Sequence, residues 1–441
     1  MPEERIRTDA LVIGGGIAGL QTAMDLADQG FLVTVVESKP SIGGNMIALS
    51  KVFPTLDCAS CITTPKMAAA AHHEKITLLT YSEVESIVRS NGGFSVTVIR
   101  KPRYVIEKDC IGCKKCEYAC PVEVTDEFEQ NMGTRRAAYI PFSNAIPQFA
   151  LIDMDNCILC GSCAKACPTD AIDFNQKPKK IELEAGTVIL ATGFELTPRD
   201  AKPHYGGGKI ANVLSPLQME RLLAPHGPYG RVLRPADGKV PDSIAYVQCA
   251  GSRDSSIGVP YCSRVCCMYA IKQAMLLSGA LPVADITIYY MDIRAFGKGY
   301  DQFYQNAKAM GIEFVKGKVA RIEETDSRDV TVRYERIDDR GQVEERRHDL
   351  VVLSLGMLPA CDASELAQVE LGSDNFILTP QIHQAGSLTS EKGVFAAGTA
   401  SGPKDIVDTI IEAGAAAMEA SNYLRQATGK DSLREPAGRR S

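Results

Sequence analysis

Tryptophan is absent from this chain, and histidine is scarce, with six in 441 residues. No acid–base triad is evident. Nor does any apolar run reach the roughly 18–20 residues that span a bilayer. A basic excess is missing too. Lys and Arg number 48 against 54 Asp and Glu, for a net charge of −6. That balance sets up no field for nucleic acid or an anionic membrane surface. The N-terminus, "MPEERIRTDALVIGGG", is charged and runs directly into a strand, so no signal peptide is read. With 45% hydrophobic and 23% charged residues the chain has the make-up of a globular protein, of about two or three domains by length. What it has in abundance is cysteine, 15 in all. Most are clustered at metal-site spacing, which favours a reducing cytoplasmic setting and iron–sulfur or zinc ligation over disulfides.

"VIGGGIAG" matches G-x-G-x-x-G at Gly14, Gly16 and Gly19, between a buried-type apolar strand and a helix. These glycines permit a tight turn, close backbone approach to a pyrophosphate and tight helix–strand packing, with the phosphates at the helix N-terminus. Glu37 ends the next strand, where a carboxylate binds ribose hydroxyls. "SIGGNM" with Gly44 follows, then "TVILATGFE" with Thr192 and Gly193, and "GVFAAGTAS" with Gly398. Together they resemble the FAD motifs of two-dinucleotide-binding flavoproteins, which implies bound FAD. One departure is Thr399, where that superfamily places an Asp.

"CIGCKKCEYACP" and "CILCGSCAKACP" each read C-x2-C-x2-C-x3-C-P. The first holds Cys110, Cys113, Cys116 and Cys120, the second Cys157, Cys160, Cys163 and Cys167. This is the pattern of a bacterial two-cluster [4Fe–4S] ferredoxin, in which the fourth cysteine ligates the other cluster. Cys110, Cys113 and Cys116 therefore pair with Cys167, and Cys157, Cys160 and Cys163 with Cys120. A zinc ribbon fits poorly, since zinc usually takes two C-x2-C halves per site. The long spacer between the motifs calls for an extra hairpin or loop.

A second dinucleotide unit should carry its own glycine fingerprint, and that too is missing. The strand "SIAYVQC" runs instead into Cys249, Cys262, Cys266 and Cys267, spaced C-x12-C-x3-C-C. One thiol at the strand end and three at the helix start converge where a pyrophosphate would lie. Four thiolates there suit a third cubane and occupy the nicotinamide cofactor's space.

The fold expected is α/β, a two-dinucleotide-binding, thioredoxin-reductase-like flavoprotein with an inserted two-cluster ferredoxin. Residues 1–100 are the first part of the FAD domain and 101–180 the insert. Residues 181–242 are FAD-domain continuation and a Gly/Pro-rich linker, and 243–350 a second Rossmann-like domain with the Cys-rich site. The FAD domain resumes over 351–425, starting from "DLVVLSLGMLP", and 426–441 form a frayed tail.

The set "GGGIAG", "FPTLDCASCITTPKM", the ferredoxin insert, "CAGSRD", "YCSRVCCMYAIK" and "GPKDIVDTIIEA" spans nearly the whole chain. It resembles the family of heterodisulfide reductase A subunits and their quinone-interacting oxidoreductase relatives. The resemblance implies one component of an oxidoreductase complex, acting on sulfur-group or quinone-linked acceptors through partners. It also implies an ordinary [4Fe–4S] site at Cys249, Cys262, Cys266 and Cys267, with Lys272 beside the flavin ring. The partners it implies are B- and C-like subunits, with a hydrogenase, dehydrogenase or ferredoxin donor, in a hetero-oligomer, dimeric forms included. Any membrane contact would come through those partners. Methanogen-type A subunits carry an extra N-terminal domain and a C-terminal ferredoxin, which this sequence does not extend into. The rival within enzymes is a stand-alone NAD(P)H-dependent reductase resembling the small subunit of glutamate synthase. "DCASC" leaves three readings of Cys58 and Cys61 open: a redox dithiol beside the flavin, thiols assisting a cluster or the flavin, or an inert pair at a helix start. Cys361 stands alone and reads as structural.

Overall fold

The computed structural model describes residues 4–90, 92–338, 341–380 and 386–427. Most of the expected tail, from residue 428 on, lies outside the described residues. The first sheet runs, edge to edge, Ile76–Thr80, Val33–Glu37, Glu4–Ile13, Lys179–Leu190, Gly93–Arg100 and Ser82–Ser90. Glu4–Ile13 is parallel to both neighbours. Its Ala10, Leu11 and Val12 are fully buried, as an apolar strand covered on both faces requires. Helix Ile17–Asp28 packs against helix Ile406–Ala427 on one face.

The strand Lys179–Leu190 explains how an insertion is tolerated. Its first half is antiparallel to Gly93–Arg100, with Lys179 opposite Arg100. Its last residues, Val188–Leu190, run parallel to Val394–Ala396. The chain thus leaves the sheet at Arg100 and re-enters beside the same residue, so the insert hangs on paired ends. The insert holds the short helices Lys115–Ala119 and Ser162–Ala166 and the expected hairpin, Glu123–Thr125 with Thr134–Arg136. Its own core gathers Val105, Ala138, Ile140, Ala150 and Ile152 around the cysteines.

The second sheet runs Val213–Leu214, Leu350–Leu353, Ser243–Val247, Asp285–Tyr290, Glu313–Glu324, Val330–Arg336 and Val343–His348. Two expectations fail here. Leu350–Leu353, read as the return to the first domain, lies parallel to Ser243–Val247 in this second sheet. The segment read as a linker contains a buried helix, Pro216–Leu223. Ser215 and Gln218 form a reciprocal capping box with Pro216 in the first turn, a start signal that the surrounding Gly and Pro mask. Arg221 of this helix pairs with Glu129 at 2.9 Å, tying the ferredoxin spacer to the second domain.

His348 ends the last strand buried, its ring between the Ser243 hydroxyl at 2.8 Å and the Tyr289 hydroxyl at 2.9 Å. Burial, then the charge of Arg346, lowers its pKa to about 4. The unfolded chain takes up a proton on this ring below about 6.5, while the folded chain does not. Stability should therefore fall as pH drops from 6.5 toward 4, by about 3 kcal/mol from this group. Denaturant titrations across that range should show a shallower acid slope for His348→Asn than for the parent chain.

Candidate flavin and iron–sulfur site

A cavity of about 770 Å³ opens at the carboxyl ends of the first sheet's strands and reaches the second domain. Its volume lies in the upper range of small-molecule sites (about 300–1,000 Å³). Gly14, Gly16, Glu37, Gly44, Thr192 and Gly193 all line it, as does Thr399. Two of these glycines are needed sterically. A Cβ on Gly14 would stand 2.2 Å from the Ala191 carbonyl oxygen, and one on Gly44 2.8 Å from the Gly16 Cα. Gly19 does not line the cavity. Its place is helix–strand packing, where a Cβ would meet the Gly14 carbonyl oxygen at 1.9 Å. Gly398 stands just behind the lining residues Ala397 and Thr399, against Ala18. The Glu37 carboxylate is held by the Gly15 N–H at 2.7 Å and the Lys39 N–H at 2.8 Å. This cradle, a backbone turn free of Cβ atoms with a fixed carboxylate beside it, fits the adenosine and pyrophosphate half of FAD.

The far wall comes from helix Cys266–Ala280 and the residue before it. Val265, Tyr269, Lys272 and Gln273 line the cavity, a spacing that puts them on one helical face. Lys272, an exposed helix lysine by pattern alone, is 2% exposed. Its ammonium pairs with Glu220 and donates to the Lys51 carbonyl at 2.8 Å. Glu220 also accepts from Gln273 at 2.5 Å and from the Ser50 hydroxyl at 2.6 Å. Burial pushes the Glu220 carboxyl up, yet Lys272 and these donors outweigh it and hold it below the usual carboxylate range. Burial lowers the Lys272 ammonium from its ordinary value, against the pull of Glu220.

One turn N-terminal on the same helix stand Cys266 and Cys267, both buried. Cys249 follows the strand Ser243–Val247, and Cys262 sits in the loop before the helix rather than on it. Burial pushes the Cys267 thiol up to about 12, with Cys249 and Cys262 adding to it. Burial likewise raises Cys266, helped by Cys267, Cys249 and Cys262, so the four sulfurs are mutual neighbours. Thiols this costly to ionise in isolation are suited to a cationic centre that takes up their charge. Gly251, the glycine nearest a fingerprint position, is committed to packing. A Cβ there would lie 2.8 Å from both the Gly356 nitrogen and the Thr197 side chain. Tyr269 joins the two sites: its ring lines the cavity while its hydroxyl donates to the Leu355 carbonyl at 2.8 Å. The Cys266 thiol reaches that same carbonyl at 3.5 Å.

In the insert, a small cavity is lined by Cys110, Cys113, Cys116 and Cys167 together. Cys163 has Cys157 and Cys120 as charge neighbours. Both motifs share one backbone form, with left-handed residues at Gly112 and Lys114 and again at Leu159 and Gly161. The second of these turns aims an amide at sulfur, Leu159 N–H to Cys157 at 3.4 Å, and past the motif's last cysteine the Ala171 N–H meets Cys167 at 3.3 Å. Such bonds stabilise thiolate and tune cluster potential. Among the described residues no three His, Cys, Asp or Glu side chains close on a single metal ion. A cubane holds its ligands further apart than one ion does.

Cys58 and Cys61 do not reach the cavity lining. Cys361 does, with the Thr192 side chain beside its sulfur, so it stands alone in the sequence but not in the fold. Tyr269, Glu220 and Lys404 carry no mark in the sequence that singles them out. Lys404 lines the cavity and donates to Glu412 at 2.5 Å.

Fold and site together define a flavin- and iron–sulfur-binding oxidoreductase. Residues 9–56 match the FAD dependent oxidoreductase family model, and residues 109–171 match the 4Fe-4S dicluster domain. By sequence the chain is a homologue of the A subunits of heterodisulfide reductases. It is 44% identical over 420 residues to the A subunit of the H(2):CoB-CoM heterodisulfide,ferredoxin reductase of Methanothermobacter thermautotrophicus, covering 93% of this chain and 63% of that protein. It is 45% identical over 436 residues to the A subunit of the H(2)/formate:CoB-CoM heterodisulfide,ferredoxin reductase of Methanococcus maripaludis, covering 97% and 66%. The chain thus spans just under two thirds of the length of these relatives. In fold it is similar to the thioredoxin reductases of T. acidophilum, with TM-score 0.53 and 16% identity over 94% of this chain and 98% of that one, and of Lactococcus lactis, with TM-score 0.52 and 14% identity over 95% and 99%.

Removing one partner of a buried ion pair costs about 3–5 kcal/mol, whereas replacing both is far milder. Glu220→Gln and Lys272→Met should each lower the unfolding free energy by about that amount. The double variant should recover most of the loss, and a double-mutant cycle by chemical denaturation measures the coupling.

Proposed function

We propose that this chain is an electron relay in a multi-subunit heterodisulfide-reductase-like complex, passing electrons between FAD, three [4Fe–4S] clusters and partner subunits. The observation that carries it is the set of four neighbouring thiols, Cys249, Cys262, Cys266 and Cys267, beside the flavin cavity, with Cys266 and Cys267 between the lining residues Val265 and Tyr269. Bound FAD exchanges electrons in pairs or singly, and cubane clusters exchange them one at a time. Gly14, Gly16, Gly19, Glu37, Gly44, Thr192, Gly193 and Gly398 form or support the flavin cradle. Cys110, Cys113, Cys116 and Cys167 hold one ferredoxin cluster, and Cys157, Cys160, Cys163 and Cys120 the other. Lys272, held by Glu220, keeps an ammonium N–H donor at the cavity wall for reduced, anionic flavin. Tyr269 and Leu355 fill the space between cavity and Cys266, excluding water from the path.

The relatives' names make them parts of larger assemblies, which supports B- and C-like partners here, with a hydrogenase, dehydrogenase or ferredoxin as donor. Ile111, Tyr118, Ile158 and Leu159 are exposed beside the ferredoxin cysteines, as a docking electron-transfer partner would use. No helix among the described residues is long and apolar enough to cross a membrane. A cytoplasmic setting suits the fifteen unpaired thiols. The stand-alone NAD(P)H reductase is disfavoured by the Cys-rich turn that stands in for a second glycine fingerprint.

Anaerobically purified protein should contain about twelve irons and one FAD, and Cys266→Ala about four irons fewer. An unchanged count of about eight irons in both would leave the third site without a cluster.

A further inference from the structure

Two cysteines take no part in any of these sites. Cys58 is the N-cap of helix Ala59–His72, and its sulfur accepts the Cys61 N–H at 3.3 Å. The Cys61 thiol points at the same sulfur, 2.7 Å away. Ser60 Oγ lies 3.8 Å from it. The Cys61 N–H and thiol thus both point at Cys58, with the Ser60 hydroxyl beside it, while Cys61 is exposed to solvent. The hydrogen bond from Cys61 lowers the Cys58 pKa and raises that of Cys61. The helix N-terminus adds a favourable dipole, with no acidic residue in its first turn.

The opposite face of this helix is anchored. Ala59 is fully buried and packs with Met46 and Val52, with Ile17, Leu49 and Ile406 against them. Those last five residues line the flavin cavity. The thiol pair therefore sits one side-chain layer outside the cavity wall, facing solvent. Pro65 lies inside the helix and has no N–H to offer the Cys61 carbonyl four residues back. The first turn is thereby freed from the regular helical ladder at the residue that must move for the sulfurs to bond.

We propose that Cys58 and Cys61 form a surface thiol–disulfide exchange site for a low-molecular-weight disulfide, with Cys58 as nucleophile and Cys61 as resolving thiol. The Cys58 thiolate attacks one sulfur of RSSR. A Cys58–SR bond forms, the RS–SR bond breaks, and the departing RS⁻ takes up the proton that Cys58 gave up. The Cys61 thiol, losing its proton to solvent, then attacks the Cys58 sulfur. The Cys58–Cys61 bond forms, the Cys58–SR bond breaks, and the second RS⁻ regains a proton. The dithiol loses two electrons and two protons, and RSSR becomes two RSH. The step uses neither the flavin nor a cluster ligand, so it stands or falls separately from the relay proposed above.

The test uses anaerobic holoprotein exposed to glutathione disulfide, then acid-quenched alkylation and tryptic mapping. Residues 52–66 form one peptide that contains these two cysteines and no other. In the parent protein this peptide should become two hydrogens lighter, an internal disulfide. In Cys61→Ser it should carry one glutathione on Cys58. In Cys58→Ser glutathione uptake at Cys61 should be at least about tenfold slower. Iron and flavin content should match the parent in both variants. A peptide that stays a dithiol, or equal uptake by the two variants, would overturn the proposal. So would lost iron or flavin in either variant, because the thiols would then belong to a cofactor site.

Discussion

A buried charge must be paired or the fold pays heavily for it, and the Lys272–Glu220 pair organises this molecule around that constraint. Lys272 comes from the helix that begins with Cys266 and Cys267. Glu220 comes from the helix after the Val213–Leu214 strand. The Ser50 hydroxyl and the Lys51 carbonyl, which complete the network, come from the flavin domain's loop. Three separate segments are thus fixed to one another through a single carboxylate and a single ammonium. The wall of the flavin cavity and the start of the cysteine-bearing helix cannot shift independently.

That rigidity bears on function. Helix Cys266–Ala280 works as a ruler. Cys266 and Cys267 stand at its first turn, Tyr269 faces both the cavity and the Cys266 environment, and Lys272 lies a turn further along the cavity wall. Electron transfer between two fixed centres needs constant separation and a dry, packed medium. The same face that lines the cavity supplies both. The turn after the strand Ser243–Val247 holds thiols, Arg253 paired with Asp292, and Gly251 packed on Gly356.

Much of this is legible in the sequence because it rests on local rules. Gly14 and Gly44 leave no room for a Cβ against the neighbouring backbone, and their glycine-rich motifs declare it. The two ferredoxin motifs repeat the same cysteine spacing, with left-handed backbone at the same positions. What local rules do not show is pairing at a distance. Lys272 looks like a surface lysine until Glu220, in a segment that reads as linker, is brought against it. Leu350–Leu353 is as apolar as a first-sheet strand, and only its partner Ser243–Val247 assigns it to the second. Cys361 has no neighbour in sequence that marks it, and only the fold brings it into the cavity wall beside Thr192.

The central claim is that electrons reach this flavin through clusters and not from a nicotinamide cofactor. It is tested most directly by following flavin absorbance under strict anaerobiosis in protein of full iron content, offered excess NADH or NADPH and, separately, chemically reduced ferredoxin. The account predicts bleaching of the flavin by reduced ferredoxin and none by either nicotinamide cofactor. Stoichiometric bleaching by NADH or NADPH, with the iron content intact, would contradict it.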